Sequence, residues 1–192
     1  DIEYSIYGRN FEHTVVAGEV YRPVIREEHG SGDVDRGAAR EIPISMGPGV
    51  NFVRFPVTIA DPRLWTPAEP WLYELQVTVR ERGSGQKPSD TASVSFGMRS
   101  FVIDESSEPS GELRLNGRRL KLRGANTMGN FQQDVYTDDL DQLVDDILLA
   151  KLCNMNFLRI TQRPVQHEIY EYCDRLGLMT QTDLPLFGVL RR

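Results

Sequence analysis

Paired acidic residues are the first feature of this sequence that suggests catalysis. Asp138-Asp139 and Asp145-Asp146 each place two carboxylates side by side, and two carboxyl groups can divide general acid and base work between them. Both pairs fall in a segment with helical periodicity, from about residue 137 to residue 154. Its apolar positions recur at i, i+3, i+4, i+7 and i+8, namely Leu140, Leu143, Val144, Ile147 and Leu148. The pairs are therefore predicted to lie on the solvated face of a helix.

The cysteines and histidines suggest no metal chemistry. Cys153 and Cys173 are the only cysteines, and the histidines are His13, His29 and His167. These positions match no metal-ligand spacing, so no metal or cofactor is expected. Both cysteines fall in predicted helices, and both are predicted to be buried free thiols.

Composition and charge exclude several classes of partner. The net charge is −6 and the isoelectric point about 5.1, whereas nucleic-acid-binding domains carry a basic face. The one basic run, "RLNGRRLKLR", alternates with leucine as a solvated hairpin does, and no apolar segment approaches membrane-spanning length. We therefore expect neither a nucleic acid nor a membrane as partner.

The first residues, "DIEYSIYGRN", lack the features of a signal peptide and resemble the interior of a domain, which leaves the localisation open.

Residues 1–103 show the two-residue periodicity of β-strands. In "LYELQVTVRE" apolar and polar residues alternate, and "NFVRFPVTIA", "SVSFGM" and "SFVID" repeat the pattern. Breaks rich in proline and glycine separate these runs, which predicts an immunoglobulin-like β-sandwich. Trp65 and Trp71, flanked by prolines, are predicted to close one end of its core, and "HGSGDVDRGAAR" is predicted to be a mobile loop.

Residues 104–192 predict a different architecture. Asn116-Gly117 between leucine pairs indicates a β-hairpin. The strand-like runs "KLRGAN", "NFLRIT" and "LMTQTD" are separated by the helix at residues 137–154 and by a second helix that begins near Pro164 and ends at Gly177. Strands alternating with helices imply parallel pairing. Three such strands are too few to bury both faces of a parallel sheet, so the chain is predicted to be a piece of a larger enzyme. The open sheet edges predict that this piece self-associates or that its C-terminal half is poorly ordered.

Five segments in order resemble glycoside hydrolase family 2: "LWTPAEPWLYELQV", "FGMRSF", "LNGRRLKLRGAN", "NFLRI…P" and "YEYCDRLGLM". That family includes β-galactosidases, β-glucuronidases, β-mannosidases and exo-β-glucosaminidases. The resemblance implies a multi-domain β plus α/β fold, in which the sandwich at residues 1–103 is followed by the first strands of an incomplete (β/α)8 barrel at residues 104–192. Family members are retaining enzymes whose two glutamates end the fourth and seventh barrel strands. The resemblance therefore implies no catalytic residue in this chain and no activity of the chain alone.

The resemblance also implies which residues line the active site, because barrel sites form at the carboxyl ends of the strands. Asn126 matches the family's Gly-x-Asn, and Arg159 matches an arginine that orients the nucleophilic glutamate. A buried structural ion pair is the alternative for Arg159. Gln162 and Asp183 are expected to hydrogen-bond sugar hydroxyls, with a solvent-facing loop residue and a helix N-cap as their alternatives.

Departures from the family pattern leave the substrate open. Galactosidase-like members have Asn-Arg-His where this chain reads Asn126-Thr127-Met128, and a histidine where Gln162 stands. The ending at Asp183 is closer to the β-mannosidase branch, whose Trp-Gly run is missing. The sequence thus predicts a fragment of a β-galactosidase-like or β-mannosidase-like enzyme acting on an oligosaccharide or glycoside. The alternative is a non-catalytic sandwich module that binds carbohydrate or protein.

Overall fold

The computed structural model describes residues 2–9, 40–45, 48–54, 56, 59, 61–80, 90–106, 108 and 110–186. These residues separate into two compact units. Residues 29–39 of the predicted mobile loop, and with them His29, lie outside the described residues, as does His13.

The first unit contains a four-stranded antiparallel sheet. Its strands are β1 (Ile2–Arg9), β2 (Arg40–Ile42), β3 (Leu72–Val79) and β4 (Asp90–Phe96), in the order β2-β1-β3-β4. The predicted strands at β3 and β4 are confirmed. Alternate residues of β3 face one apolar cluster, whose members are Tyr73, Leu75, Val77, Trp71, Phe96, Met98 and Ile59. Trp71 thus packs in this unit, with the Arg63 guanidinium 4.0 Å from its ring centre.

The predicted strand at residues 51–59 is wrong where the structure describes it. Residues 51–54, 56 and 59 belong to no strand, and the Phe52 side chain is 89% exposed. Pro56 has no backbone N–H to donate to a sheet ladder. Alternating apolar residues form a strand only where a neighbouring strand accepts and donates the backbone hydrogen bonds.

A small antiparallel sheet opens the second unit. Its strands are β5 (Phe101–Asp104), β6 (Glu112–Leu115) and β7 (Arg118–Arg119), in the order β5-β6-β7. The turn between β6 and β7 has φ of 52° at Asn116 and 76° at Gly117. Positive φ at both central residues is the type I′ turn that suits a hairpin, so the predicted hairpin is confirmed.

A three-stranded parallel sheet with three helices completes the second unit. The strands are β8 (Gly124–Thr127), β9 (Phe157–Ile160) and β10 (Met179–Thr182), in the order β10-β9-β8. The helices are α1 (Asn130–Tyr136), α2 (Leu140–Leu152) and α3 (His167–Leu176). The parallel pairing and the two predicted helices are confirmed, whereas α1 was not predicted. Helix α3 begins at His167 rather than near Pro164, and it ends where Gly177 adopts φ of 76°.

One face of the parallel sheet packs against the helices. Leu158 and Ile160 of β9 are buried in a core with Leu143 and Ile147 of α2 and Ile169 of α3. Cys173 of α3 belongs to the same core, but Cys153 caps α2 at an exposed position. The prediction of a buried thiol is therefore right for Cys173 and wrong for Cys153, because α2 ends just before that residue.

Asn156 fixes the start of the parallel sheet. Its side chain is 7% exposed, donates a hydrogen bond from Nδ2 to the Lys121 carbonyl (2.9 Å) and accepts one at Oδ1 from the Arg123 N–H (2.8 Å). Its backbone N–H donates to the Arg123 carbonyl at 2.8 Å. These three bonds hold the segment before β8 beside β9. Directly after Arg123, a Cβ on Gly124 would lie 1.9 Å from the Phe157 carbonyl oxygen, so only glycine fits there.

Trp65 belongs to the second unit, which includes Leu64–Pro70. Its ring is fully buried, its Nε1 donates to the Asp174 carbonyl oxygen (2.8 Å), and its own carbonyl oxygen accepts a bond from Asn116 Nδ2 (3.0 Å). The Arg99 guanidinium lies 4.9 Å from the ring centre. The prediction that Trp65 closes the sandwich core is therefore wrong, because the indole finds its N–H acceptor on α3.

Candidate functional site

A guanidinium and a carboxylate meet at the carboxyl end of the parallel sheet. Arg159 donates from Nε to Oδ1 of Asp183 (3.1 Å) and from a terminal nitrogen to Oδ2 (2.8 Å). This two-point geometry is the strong form of an arginine–carboxylate pair. The Arg159 side chain is 43% exposed and that of Asp183 21%, so the pair is accessible from solvent in this structure.

Strand pairing brings these two residues together. Arg159 is opposite Gln181 in the register of β9 and β10, and the Asp183 N–H continues the ladder by donating to the Ile160 carbonyl at 3.0 Å. Side chains alternate across a strand with period two. Asp183 therefore follows Gln181 on the face that carries Arg159.

The Asp183 carboxylate is held in its ionised form. The side-chain hydrogen bonds from Arg159 lower the pKa of Asp183, and the Gln162 backbone N–H, 3.3 Å from Oδ2, lowers that pKa further. Hydrogen bonds to the charged form are the physical cause of such a shift. At neutral pH the site thus contains a fixed anion whose charge offsets that of the guanidinium.

Asn126 lies beside Arg159 on the other neighbouring strand. The two are register partners in β8 and β9, and Asn126 is exposed. Register partners in a parallel sheet share a face, and this face is opposite the one on which Leu158 and Ile160 pack against the helices. Asn126, Arg159 and Gln181 therefore form one transverse row, called here the polar row, on the face that the helices leave uncovered. With strands about 4.8 Å apart, the row spans about 10 Å.

Gln162 contributes backbone rather than side chain to this arrangement. It has φ of 75°, follows β9 by two residues and directs its N–H to Asp183. The loop is held by Thr161, whose hydroxyl donates to the Thr127 carbonyl oxygen at 2.7 Å and contacts Met128 Sδ at 3.3 Å. The Gln162 side chain is exposed at the rim of the sheet.

The structure thus brings together Arg159, Asp183 and the Gln162 backbone and aligns Asn126 with them. Sequence reasoning missed Gln181. The signal was present, since Gln181 precedes Asp183 by two residues in "LMTQTD" and must share its face. What the sequence did not provide was the register that puts Gln181 opposite Arg159.

The chemistry available in this arrangement is binding and orientation. Amides donate and accept hydrogen bonds, and the guanidinium donates only. The polar row and Asp183 together present one carboxylate, whereas retaining glycoside cleavage uses two about 5 Å apart. Among the described residues, no group of three or more His, Cys, Asp or Glu is placed to hold a metal ion. Within the same residues, no helix has both the length and the apolar character that crossing a bilayer requires.

Two family models match the chain. The model "Glycosyl hydrolases family 2" matches residues 2–99, and "Glycosyl hydrolases family 2, TIM barrel domain" matches residues 109–189. Their descriptions agree with the resemblance drawn from the sequence.

Curated relatives with similar sequences include β-galactosidases. That of Lactococcus lactis subsp. lactis (strain IL1403) is 30% identical over 135 residues, which are 69% of this chain and 13% of the relative. That of Vibrio vulnificus (strain YJ016) is 28% identical over 170 residues, 86% of this chain and 16% of the relative. The chain therefore spans less than a fifth of the length of these relatives.

Solved structures with the same fold include two glycosidases. A Parabacteroides merdae β-glucuronidase superposes with a TM-score of 0.68 at 21% identity, covering 96% of this chain and 19% of that one. A glycosyl hydrolase family 2 member from Bacteroides cellulosilyticus superposes with a TM-score of 0.65 at 18% identity, covering 95% and 22%. At these identities the likeness shows the fold. Because a family model covers more than half of the residues, from 2 to 99, this chain belongs to glycosyl hydrolases family 2.

Proposed function

We propose that this chain is part of a retaining β-glycosidase and supplies the rim of its active site. In this proposal the immunoglobulin-like sandwich lies within residues 1–103, and the first three strands of a (β/α)8 barrel lie within residues 104–192. The two family models support it because their matches, residues 2–99 and 109–189, fall on either side of residue 103. The parallel order β10-β9-β8 with helices on one face is the arrangement that a barrel wall has.

The Arg159–Asp183 pair is the observation that carries this proposal. It lies at the carboxyl end of parallel strands, where barrel enzymes place their sites. Within the described part of the chain, Asp183 takes two of the five N–H donors that a guanidinium has, which leaves three for another acceptor. In the proposed enzyme, that acceptor is the nucleophilic glutamate of a later strand.

The electrostatics of the pair suit this role. A guanidinium beside a carboxylate favours its ionised form, and a nucleophile must be ionised to attack the anomeric carbon. Asp183 accepts a hydrogen bond from the Gln162 N–H and holds the Arg159 guanidinium in place through its own two hydrogen bonds. Asp183 is thus a positioning residue that acts through Arg159, and its carboxylate is occupied rather than open to sugar hydroxyls. Asn126 and the Gln162 side chain line the rim.

The proposed reaction is cleavage of a terminal β-glycosidic bond in an oligosaccharide or glycoside, with a galactoside or a mannoside as the sugar. The β-galactosidase relatives support the galactoside. Met128 and Gln162 replace histidines of the galactosidase pattern, and these differences favour a mannoside as the alternative substrate. Neither the acid/base nor the nucleophilic glutamate falls within this chain in the proposal, so the 192 residues alone have no turnover.

A hydrolysis panel tests the proposal. The full-length protein and the 192-residue chain are assayed with aryl β-D-galactoside, mannoside, glucuronide and glucosaminide. An active full-length protein and an inactive chain are expected, and the preferred substrate identifies the sugar. Turnover by the 192-residue chain would refute the placement of the glutamates, and an inactive full-length protein would favour a binding module.

The open edges of the parallel sheet support a second property of the isolated chain. Strands β8 and β10 are the edges of the described sheet, and unpaired edges promote pairing with another chain. We propose that the isolated 192 residues self-associate through them. Sedimentation velocity over a range of concentrations is expected to show a concentration-dependent sedimentation coefficient. A single monomeric species throughout would contradict this proposal.

A further inference from the structure

Gln181 has a position that the proposed function does not yet use. It is the register partner of Arg159 on the β10 side, as Asn126 is on the β8 side. Its side chain is exposed, and it lies on the face of the sheet that the helices leave uncovered. The guanidinium is therefore flanked by one amide on each side, at about one strand spacing.

The chemistry of the polar row specifies the kind of ligand. An amide donates and accepts, as a hydroxyl group does, so the two can form paired hydrogen bonds. The guanidinium donates only, and the Asp183 carboxylate offsets its charge through two hydrogen bonds. The row with its carboxylate thus has no net charge and presents both donors and acceptors. Such a surface suits a neutral ligand rich in hydroxyl groups better than an anionic one.

We infer that Gln181 is a substrate-binding residue that reads one hydroxyl group of a neutral hexoside beside Arg159. The inference rests on the proposed function and adds to it a residue that contacts the sugar. The opposite face of β10 contacts α3, since the Thr182 and Tyr170 hydroxyl groups are hydrogen-bonded at 2.9 Å. Gln181 makes its contacts on the other face.

The test uses the full-length protein with Gln181→Ala and, as a matched control, Thr180→Ala. Thr180 is an exposed neighbour on the opposite face of the same strand, so it reports on the strand without touching the polar row. Loss of one hydrogen bond to a substrate hydroxyl predicts a fall in kcat/KM on the order of 10- to 100-fold for Gln181→Ala. The control is expected to stay within about twofold of wild type, because exposed substitutions away from a site have small effects.

Deoxy-substrates separate binding from a structural role. A monodeoxy aryl glycoside that lacks the hydroxyl read by Gln181 should be cleaved more slowly by the wild type, with little further loss in Gln181→Ala. Every other monodeoxy substrate should still show the full effect of the variant. An equal effect across the whole deoxy series would assign Gln181 a structural role and overturn the inference.

The outcomes distinguish this inference from the proposed function. A full-length protein that cleaves no glycoside overturns both. A full-length protein that cleaves glycosides but is unchanged by Gln181→Ala overturns the inference alone. A protein that prefers the aryl glucuronide over the neutral hexosides also overturns the inference, since it would show that the site takes an anion, and the glycosidase assignment would stand.

Discussion

Removal of the Asn156 side chain should weaken the second unit by a predictable amount. In Asn156→Ala the Lys121 carbonyl and the Arg123 N–H each lose a hydrogen-bond partner. Each lost bond contributes about 1 kcal/mol net, and a group left unpaired in a buried position adds a further cost. The free energy of unfolding should therefore fall by about 2–4 kcal/mol. That is a large share of the stability of an ordinary domain.

The measurement is urea unfolding followed by tryptophan fluorescence. The fully buried Trp65 belongs to the same unit as Asn156, whereas Trp71 belongs to the other. In a Trp71→Phe background, Trp65 therefore reports on the second unit alone. The midpoint should fall in Asn156→Ala, and Asn126→Ala, which removes an exposed asparagine from the same sheet, should change the free energy of unfolding by less than about 0.5 kcal/mol.

A second substitution, Asn156→Asp, removes only the hydrogen-bond donor of the Asn156 side chain. Asn156→Asp keeps an acceptor for the Arg123 N–H but turns a second oxygen towards the Lys121 carbonyl. It also buries a charge, which raises the pKa of the new carboxyl group. A raised folded-state pKa means that this variant is destabilised at neutral pH and recovers as the pH falls through that pKa. An Asn156→Ala midpoint equal to that of the parent would refute the reasoning, because the segment before β8 would then be held by other contacts.

Three further predictions follow from local geometry. Because hydrogen bonding lowers the pKa of Asp183, the stability that its carboxylate contributes is present above the unfolded pKa of about 3.9 and is lost as the pH falls through the lower folded value. In Asp183→Asn, the free energy of unfolding should therefore depend less on pH in that range. In a thiol-reagent assay of the native chain, Cys153 should react within minutes, whereas Cys173, with a pKa raised to about 12 by burial, should react only on unfolding. Gly124→Ala should destabilise the sheet by about 1–3 kcal/mol in urea unfolding, since its Cβ would overlap the Phe157 carbonyl oxygen.

Each of these has an outcome that would contradict it. An acid unfolding curve unchanged in Asp183→Asn would show that the carboxylate gains nothing from its partners. Two thiols reacting at equal rates in the native chain would place Cys173 at the surface. A Gly124→Ala protein as stable as the parent would show that the Phe157 carbonyl oxygen, 1.9 Å from the added Cβ, can move aside at no cost.

Local signals in the sequence determined much of the second unit. Asn116-Gly117 specifies its turn because both residues accept positive φ, as the structure shows. Gly177 ends α3 for the same reason. Helix α2 and strand β9 were also predictable, because the buried residues of a helix and of a strand recur at different, fixed spacings in the sequence. The motifs that mark the family are also local, and the family match agrees with them.

Only the tertiary structure decided which polar residues meet. Arg159 and Asp183 are separated by a whole helix in the chain, and a slip of one residue between β9 and β10 would have put Asp183 on the helix-covered face. Trp65 likewise occupies the second unit because the Asp174 carbonyl oxygen accepts its N–H there. The residue types were readable from the sequence, but their neighbours depend on register and packing, which involve positions far apart in the chain.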